Sequence, residues 1–385
     1  MIPGPIDIFE ETLEALSQPV LAHYGEEFLT IYRDTVTLCE QVFQAQNDII
    51  IMAAPGSGAL DAGLSSLFSP NEKVAIPNNG FFAERMIHSM NAYGLDVLSV
   101  DDDWGKPSDV DKMRDALKQN GKVKGIVVIA NDTGTGVVNP VRQYSELAKE
   151  YDLPIFVDAV SAMGGYDLPV DKWGLDVVCT SSNKALETSP GLGLISVSER
   201  AWEIIKKKGE KATHRGWYYD LFRWKQAMDT SPENPYPTTQ PCNMIVSLHA
   251  SLNRIINVET LRGHWARYAW AQKVFRSGIR RLGFAPVAPA EIASPTVTTF
   301  RIREDMKNNV ELRDYLLHEH NILVAVGMGI FSDNVLRVGH MGKAGTRDYL
   351  IPCLLGMEEY VRNIEKQDIP FGASLEGMKG AGTWY

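Results

Sequence analysis

Between about residues 50 and 200, short apolar runs rich in β-branched residues alternate with amphipathic stretches. Apolar runs bounded by turn residues are typical of buried strands, and apolar positions recurring every three or four residues are typical of helices. The pattern predicts helices at Asp109–Gln119 and Val141–Tyr151. The predicted strands are Ile49–Met52, Lys73–Ile76, Asp96–Val100, Gly125–Ile129, Ile155–Val157, Val177–Thr180 and Leu194–Val197. This alternation indicates an α/β fold with a mostly parallel seven-stranded sheet, in which ligands collect at the carboxyl ends of the strands.

The C-terminal part of the chain follows a different pattern. Residues 201–242 are rich in aromatic side chains and predict irregular structure. A helical pattern from Val258 to Leu282 is long enough to connect two lobes. Beyond it the pattern predicts a smaller α+β unit, with strands at Thr296–Arg301, Leu323–Val326 and Val335–Val338 and helices at Val310–His320 and Thr346–Lys366.

The length of the chain, 385 residues, predicts more than one domain, because single hydrophobic cores stop growing at smaller sizes. We expect a large domain over residues 21–257 and a small C-terminal domain over residues 258–369. An N-terminal segment, residues 1–20, is expected to pack near the active site and the small domain. Residues 370–385, rich in Gly, are expected to form a loosely held tail.

Composition excludes several classes of protein. Hydrophobic residues make up 44% and charged residues 22%, which is ordinary for a globular chain, and a net charge of −10 argues against a nucleic-acid surface. The four cysteines lie far apart without a CxxC pair, which predicts neither a zinc site nor a disulfide framework and favours a cytoplasmic location. The N-terminus does not resemble a signal peptide, and the most apolar stretch, Ile49–Phe68, is interrupted by Pro55 and Asp61 and predicts no membrane span.

One lysine lies where such a sheet presents ligands. In the run SSNKALETSPGLG, Ser181 to Gly193, a strand that ends at Thr180 leads into a loop carrying Lys184. Burial and nearby positive charge can lower the pKa of such an amine and make it available to condense with an aldehyde. The alternative is a solvated loop lysine.

A carboxylate is placed similarly in the run IFVDAVSAMGG, where an apolar strand ends in Asp158. A carboxylate at the end of a buried strand is costly unless it meets a cation, and a protonated pyridine nitrogen is such a cation. The alternative is an Asp that caps the next helix. The order of the strands predicts that Asp158 and Lys184 lie on the same edge of the sheet.

A Gly-rich turn follows the first strand in PGSGALDAG, Pro55 to Gly63, and opens a predicted helix. Backbone N–H groups at a helix start bind phosphate, and glycines allow close approach. The run does not match a dinucleotide fingerprint, because Asp61 occupies the place of the last glycine. Read alone, the run can also be an ordinary turn.

Two further segments can contribute to a binding site. NGFFAER places Phe81 and Phe82 after the second strand, where an aromatic ring can stack on a flat cofactor. NDTGTGVVNP follows the strand that ends at Ile129 and offers the hydroxyl of Thr133. Packing and turn formation are the alternatives for both.

Together and in this order, IPGP at residue 2, the Gly-rich turn, VDAVS, NKAL–SPGL and RVGHMG at residues 337–342 resemble the class V aminotransferases. The resemblance is to the alanine–glyoxylate and serine–glyoxylate group in particular, and it covers nearly the whole chain. It implies the PLP-dependent transferase fold of type I, with pyridoxal 5'-phosphate (PLP) held as a Schiff base on Lys184.

The resemblance also implies roles for individual residues. Lys184 and Asp158 are catalytic, Asp158 as the partner of the pyridine nitrogen, and Arg337 and Gly4 bind the substrate. A tyrosine and a threonine come from the neighbouring subunit in this family, which implies a homodimer with shared active sites, alone or within a higher oligomer. The implied cofactor-binding residues are Gly56, Ser57, Gly58, Phe82, Thr133, Asp158, Val160, Asn183, Lys184, Tyr236 and Thr239, of which Tyr236 and Thr239 match the neighbour's pair.

Some positions depart from the family pattern. Pro55 stands where a hydroxyl residue is common, Asn183 where glutamine is common, and Phe82 where tryptophan is common. Asn183 and Thr133 also resemble the pyridoxamine–pyruvate transaminases. That branch, however, has a glutamate at the place of Pro55 and an arginine at the place of Met328.

The function that the resemblance implies is a ping-pong transamination between a small amino donor, alanine or serine, and a small 2-oxo acid, glyoxylate or pyruvate. Alternatives are a pyridoxamine–pyruvate-type enzyme, another fold-type-I PLP enzyme acting on a different small amine, and a non-catalytic protein of this fold. A cysteine desulfurase is disfavoured because residues 320–345 contain no cysteine, and a metal site would need His318 and His320, which point apart on a helix. His340 can line the substrate cavity or be structural.

Overall fold

The computed structural model describes residues 1–209, 212–231, 233–379 and 382. The first nine strands are β1 (Asp48–Ala53), β2 (Lys73–Asn78), β3 (Asp96–Asp101), β4 (Val123–Ile129), β5 (Asn131–Asp132), β6 (Val137–Val138), β7 (Ile155–Asp158), β8 (Val177–Ser181) and β9 (Leu192–Val197). Seven of them form one sheet in the order β1-β9-β8-β7-β4-β2-β3, and β5 and β6 form a separate ribbon. Only β9 runs antiparallel to its neighbours in the sheet, so the predicted mostly parallel seven-stranded sheet is confirmed.

Each of the seven predicted strands is present within one or two residues of its expected bounds. All four residues of β7 and all five of β8 are buried, as expected for strands covered by helices on both faces. Because β7 and β8 are adjacent and parallel, their carboxyl ends lie on the same edge of the sheet. That edge carries Asp158 at the end of β7 and, just beyond β8, Lys184.

Helices pack around this sheet and around a second, smaller one. They are α1 (Glu10–Leu16), α2 (Glu26–Phe43), α3 (Gly56–Leu67), α4 (Phe81–Ala92), α5 (Val110–Gln119), α6 (Val141–Glu150), α7 (Val170–Trp173), α8 (Glu199–Lys208), α9 (Leu221–Thr230), α10 (Cys242–Asn253), α11 (Leu261–Arg281), α12 (Asn309–His320), α13 (Arg347–Glu359) and α14 (Glu376–Lys379). The side chain of Asp109 caps α5 by accepting hydrogen bonds from the N–H groups of Asp111 and Lys112, so the helix begins one residue later than predicted. No helix among the described residues is long and apolar enough to cross a membrane.

The prediction of irregular structure over residues 201–242 is wrong for two segments, because α8 and α9 lie there. Ser198 caps α8 by accepting a hydrogen bond from the N–H of Ala201, and Asp220 caps α9 in the same way. Trp202 and Trp224 are both buried. The aromatic residues that suggested irregularity are therefore partly the buried faces of helices.

The second sheet has four antiparallel strands in the order β10-β11-β13-β12: β10 (Ala285–Pro286), β11 (Val297–Arg301), β12 (Ala325–Val326) and β13 (Val335–Gly339). These strands and α11 to α13 enclose a hydrophobic core separate from that of the large sheet. The predicted connecting helix is α11, which begins at Leu261 after a π-helical turn at Arg254–Val258. The predicted last helix, Thr346–Lys366, is α-helical as far as Glu359 and is followed by a π-helical turn, Tyr360–Ile364.

The N-terminal residues and the residues that follow Ile369 pack against the second sheet and its surroundings. The N–H of Gly339 bonds to the carbonyl of Met1 at 2.9 Å, and the N–H of Lys343 bonds to the carbonyl of Asp7 at 3.1 Å. The predicted loose tail is anchored where it begins, because Gly372 and Ser374 donate to the carboxylate of Glu358. Residues 380, 381 and 383–385 of that tail lie outside the described residues. The domain boundaries at 20, 257 and 369 remain predictions.

Candidate active site

Lys184 lies in a tight turn that begins just after β8. The N–H of Glu187 bonds to the carbonyl of Lys184 at 3.0 Å, and the N–H of Thr188 bonds to the carbonyl of Ser182 at 3.1 Å. The amine of Lys184 donates a hydrogen bond to the carbonyl of Pro3 at 2.5 Å. Burial, followed by the positive charge of Arg337, lowers the pKa of this amine to about 8. Lys184 is therefore a partly buried amine with a lowered pKa, as the sequence predicts for this position.

Gly4, predicted to bind substrate, lies against the side chain of Lys184. A Cβ atom at position 4 would collide with the amine and the two preceding carbons of Lys184. The φ angle of Gly4 is +127°, which L side chains rarely adopt. The N-terminal segment can therefore reach the lysine only with glycine at this position.

Asp158 ends β7 and faces the same edge of the sheet. Its Oδ1 atom accepts a hydrogen bond from the N–H of Val160 at 2.9 Å. Burial raises the pKa of Asp158 to about 6, although the Val160 N–H opposes that shift. A cation placed against Asp158 would stabilise its ionised form, so the site favours a positively charged partner.

A cavity of about 420 Å³ opens between these groups. Of the predicted residues, it is lined by Ser57, Phe82, Thr133, Asp158, Val160 and Lys184. Gly56 and Gly58 lie at the start of α3 beside it, where no side chain caps the helix. A Cβ atom on Gly56 would lie 3.1 Å from both Val160 Cγ2 and Ser181 Cβ, so close packing explains the glycine. Five segments that are distant in the sequence therefore meet at this cavity.

Several residues at the cavity were not predicted. Arg85, which belongs to the NGFFAER run, donates from Nη2 to the hydroxyl of Ser57 at 2.5 Å. The spacing in the sequence was an available signal, because an arginine three residues after Phe82 lies on the same face of α4. Asn131 and Ser161 also line the cavity. The amide of Asn131 donates to the Ser161 carbonyl at 2.8 Å and to Thr296 Oγ1 at 2.9 Å.

Two buried polar atoms at the site have no hydrogen-bond partner within the described part of the chain. They are Asn131 Oδ1, on a residue that lines the cavity, and Ser181 Oγ, close to Gly56. Buried polar atoms are nearly always paired, so an unpaired atom beside a cavity indicates a polar ligand. Neither residue was predicted, because its significance arises only from its position in the fold.

Asp132 organises the residues around the cavity without lining it. Its carboxylate accepts hydrogen bonds from the N–H groups of Phe82 at 2.8 Å, Gly134 at 2.8 Å and Thr135 at 2.9 Å. The three bonds attach the start of α4 to the turn that carries Thr133. A charged residue at the end of a buried strand was the available signal in the sequence, as it was for Asp158.

Arg337 approaches the site from β13 of the small sheet. Its Nε donates to the carbonyl of Val326 at 2.8 Å, and Nη1 donates to the carbonyl of Thr133 at 3.3 Å. Arg337 does not line the cavity directly, but its charge contributes to the lowered pKa of Lys184. The guanidinium is therefore held between the small sheet and the turn that carries Thr133, close enough to Lys184 to affect its pKa.

Other predicted residues lie elsewhere in the single chain. Tyr236 is buried, packs edge-on against Tyr32 and donates to the carbonyl of His23. Thr239 is exposed, and neither residue lines the cavity. Asn183 precedes the lysine and is half-buried, but it is not among the lining residues.

His340, for which two roles were open, is structural. It is fully buried, bonds through Nε2 to Thr298 Oγ1 at 2.8 Å and packs against Phe275. Burial lowers its pKa to about 3, so the ring is neutral. It does not line the cavity.

Comparisons with known proteins agree with this geometry. The family model described as Aminotransferase class-V matches residues 8–333. An uncharacterized aminotransferase of Methanocaldococcus jannaschii is 31% identical over 91% of this chain and 89% of its own, and the pyridoxamine–pyruvate transaminase of Mesorhizobium japonicum is 27% identical over 92% and 89%. The crystal structure of an alanine–glyoxylate aminotransferase from Nostoc sp. superposes with a TM-score of 0.88 at 27% identity, covering 94% of each chain.

Proposed function

The chain belongs to the class V aminotransferases and has the fold type I architecture of PLP-dependent enzymes, and on that premise we propose which amino group it moves and with which residues. The donor is a small amino acid, alanine or serine, and the acceptor is glyoxylate or pyruvate. The names of the relatives from Nostoc sp. and Mesorhizobium japonicum, which act with glyoxylate and pyruvate, support this acceptor class.

The observation that carries the proposal is the placement of Lys184 and Asp158. They follow adjacent parallel strands, line the same cavity and have pKa values shifted to about 8 and about 6. PLP, when bound, would supply an aldehyde for the lysine and a pyridine ring that accepts electrons from the substrate carbon. Asp158 would hold the ring nitrogen in its protonated form, and that contact would in turn stabilise the ionised carboxylate.

Lys184 would then act twice. Its neutral amine would hold the cofactor through the aldehyde. Once released by the amino group of the substrate, the same amine would accept the proton from the substrate α-carbon and donate it to the cofactor. An amine with a pKa of about 8 can both hold and release a proton near neutral pH. The carbonyl of Pro3, 2.5 Å from the amine, restricts where Lys184 can point.

The residues around the cavity fit the remaining parts of the cofactor. The phosphate of PLP would be bound by the uncapped start of α3, by the hydroxyls of Ser57 and Ser181 and by the guanidinium of Arg85. Thr133 and the unpaired Oδ1 of Asn131 are placed for its polar ring substituents. Phe82 and Val160 would contact the ring.

Arg337 would bind the carboxylate of the substrate. Its Nε donates to the carbonyl of Val326 and its Nη1 to the carbonyl of Thr133, which orients the guanidinium. The N–H groups of Nη2 and the second N–H of Nη1 would bind an incoming carboxylate. A planar guanidinium fixes both the position and the orientation of a carboxylate. Gly4 would give the substrate room beside Lys184.

Tyr236 and Thr239 would complete the phosphate site of a neighbouring copy in a homodimer. Their distance from the cavity of their own chain supports this reading, because both are found outside its lining. Tyr236 would exchange its bond to the carbonyl of His23 for the partner's phosphate. We also propose a cytoplasmic location, since all four cysteines are free and buried.

The direct test is the substitution Lys184→Ala. It should abolish transamination and the attachment of PLP that borohydride reduction makes permanent, because Lys184 is the only lysine among the described residues that line the cavity. Lys106→Ala, which removes an exposed lysine paired with Asp103, is the control and should behave as the wild type. Normal turnover by the Lys184 variant would refute the assignment.

A donor panel decides between the proposed reaction and the pyridoxamine–pyruvate alternative. Alanine, serine and pyridoxamine are each offered with glyoxylate and with pyruvate, and keto-acid-dependent consumption of the donor is measured. We expect turnover with an amino acid and none with pyridoxamine, since Pro55 and Met328 lack the charges that mark that branch. Turnover with pyridoxamine alone would select the alternative.

A further inference from the structure

A cluster of buried charged side chains lies directly behind the turn of Lys184. Glu187 is fully buried and has a φ of +55°, in the left-handed region that residues other than glycine rarely adopt. Burying a carboxylate is unfavourable unless cations and hydrogen-bond donors surround it. Both the burial and the backbone conformation of Glu187 therefore need specific contacts to maintain them.

The carboxylate of Glu187 contacts donors from three other parts of the chain. Oε1 accepts hydrogen bonds from Arg267 Nη2 at 2.8 Å, from the hydroxyl of Tyr268 and from the N–H of Gly342 at 3.0 Å. Oε2 pairs with the guanidinium of Arg254. One side chain thus joins the lysine turn to the connecting helix α11 and to the segment after β13.

Gly342 is held by hydrogen bonds to both its N–H and its carbonyl group. Its N–H donates to Glu187, and its carbonyl accepts a hydrogen bond from Arg267 Nη1 at 2.9 Å. Its φ is +63°, and a Cβ atom there would collide with the carbonyl of Asp7, so this turn has little freedom. β13, which ends just before this turn, carries Arg337.

The turn that carries Lys184 is also held by helices α10 and α11. Ser251 on α10 donates to the carbonyl of Leu186 at 2.8 Å, and His264 Nε2 bonds to the carbonyl of Ala185 at 3.0 Å. The N–H of Glu187 closes the turn on the carbonyl of Lys184. A displacement of Glu187 would therefore move the backbone next to the catalytic amine.

From these contacts we propose that Glu187 is a positioning residue that sets the spacing between Lys184 and Arg337. Its carboxylate ties the turn of the lysine to the end of the strand that carries the arginine, so that one amino acid can meet both. The proposal rests on the functions proposed above for Lys184 and Arg337. A positioning role differs from that of an ion pair that only stabilises the fold, because a change in the spacing between Lys184 and Arg337 would weaken the binding of substrate specifically.

The test substitution is Glu187→Gln, which keeps the size of the side chain but places an amide against Arg254 and Arg267. We expect the KM for alanine and for glyoxylate to rise about tenfold or more. The dissociation constant of propionate, an unreactive carboxylate detected through the cofactor spectrum, should rise in parallel. Affinity for PLP should stay within about twofold of the wild type, because Asp158 and the start of α3 are untouched.

Glu259→Gln is the matched control. Glu259 belongs to the same cluster, accepting from Arg267 Nε at 2.6 Å and from Arg254 Nη1 at 3.1 Å. Its carboxylate does not bond to Gly342, and it reaches the lysine turn only indirectly, through His264. The two substitutions remove the same charge, so both should lower Tm. Only Glu187→Gln should change KM and the binding of propionate.

Three results decide the proposal. Equal KM changes in the two variants, or an unchanged KM in Glu187→Gln, would overturn it. If Glu187→Gln does not fold, Tyr268→Phe removes one donor to the same carboxylate, and an unchanged affinity for propionate there would also overturn it. A wild-type protein that takes up no PLP would instead refute the proposed function, so the two failures are distinguishable.

Discussion

Lys184 and Asp158 face a cavity where little offsets their burial, whereas Glu187, in the same turn as the lysine, is surrounded by cationic and neutral donors. In the first region, burial moves the pKa of the amine down to about 8 and that of the carboxyl up to about 6. In the second region, Arg254 and Arg267 pair with the buried carboxylate of Glu187 and the half-buried carboxylate of Glu259. Where neighbouring charges and donors offset the cost of burying a charge only in part, the group keeps a shifted pKa and can react. Where they offset that cost fully, the charged group can hold backbone segments in place.

Glu259 and His264 show how strong the compensation is in the second region. Burial alone would raise the pKa of Glu259, but hydrogen bonds from His264 and Arg267 hold this pKa well below its usual value. Burial lowers the pKa of His264 to about 4, so its ring is neutral at physiological pH. Neither Glu259 nor His264 therefore changes its charge near neutral pH, as expected of a structural cluster rather than a catalytic site.

After the loss of activity expected for Lys184→Ala, the largest expected effect comes from removing the charge of Asp158. Asp158→Asn keeps the shape of the side chain but cannot hold a proton on the pyridine nitrogen, so kcat should fall by a factor on the order of 10²–10³. Steady-state kinetics with alanine and glyoxylate measure it. Asp103→Asn, at an exposed ion pair, is the control. A kcat within threefold of the wild type would remove Asp158 from the catalytic role.

A smaller effect is expected at the anion-binding side of the cavity. Arg85→Gln should weaken PLP binding about tenfold, as for the loss of one charge-assisted hydrogen bond, and should leave the binding of unphosphorylated pyridoxal unchanged. Titration of the cofactor-free protein, followed by absorbance, measures both affinities. Arg142→Gln, at an exposed pair with Glu146, is the control. Equal losses for the two ligands would show that Arg85 does not contact the phosphate.

The shifted pKa of Lys184 predicts a pH dependence for cofactor uptake. The neutral amine attacks the aldehyde, so with a pKa of about 8 the rate of PLP uptake should rise about fivefold from pH 7 to pH 8 and less than twofold from pH 8 to pH 9. Arg337→Gln removes a positive charge that lowers this pKa, so its profile should move to higher pH. Stopped-flow absorbance measures the rates, and identical profiles would contradict the assigned cause.

The smallest effect on activity is expected at His340, a buried polar residue outside both regions. His340→Gln should lower the free energy of unfolding by about 1–3 kcal/mol, because the bond to Thr298 is disturbed. Values of kcat and KM should stay within about twofold of the wild type. Denaturant unfolding and kinetics check the two halves of this prediction, and a kinetic change without a change in stability would place His340 in the substrate site.

Among the individual residues, those at the ends of strands were the most predictable. Lys184, Asp158 and Thr133 each follow an apolar run that is recognisable in the sequence, and parallel strands bring their carboxyl ends to one edge. The roles of Tyr236 and Thr239 were implied only by resemblance, and a single chain leaves both outside its cavity. Their assignment to a neighbouring copy stays a proposal.

The sequence by itself determined the alternation of strands and helices, the seven-stranded sheet and the edge on which the lysine and the carboxylate lie. These properties follow from local periodicity and from the regular geometry of parallel strands. Only the tertiary structure decided that Glu187 joins Arg254, Arg267 and Gly342, and that Asn131 and Ser181 keep unpaired atoms beside the cavity. Such contacts join residues far apart in the chain, and their geometry depends on how the helices pack, which no local pattern encodes.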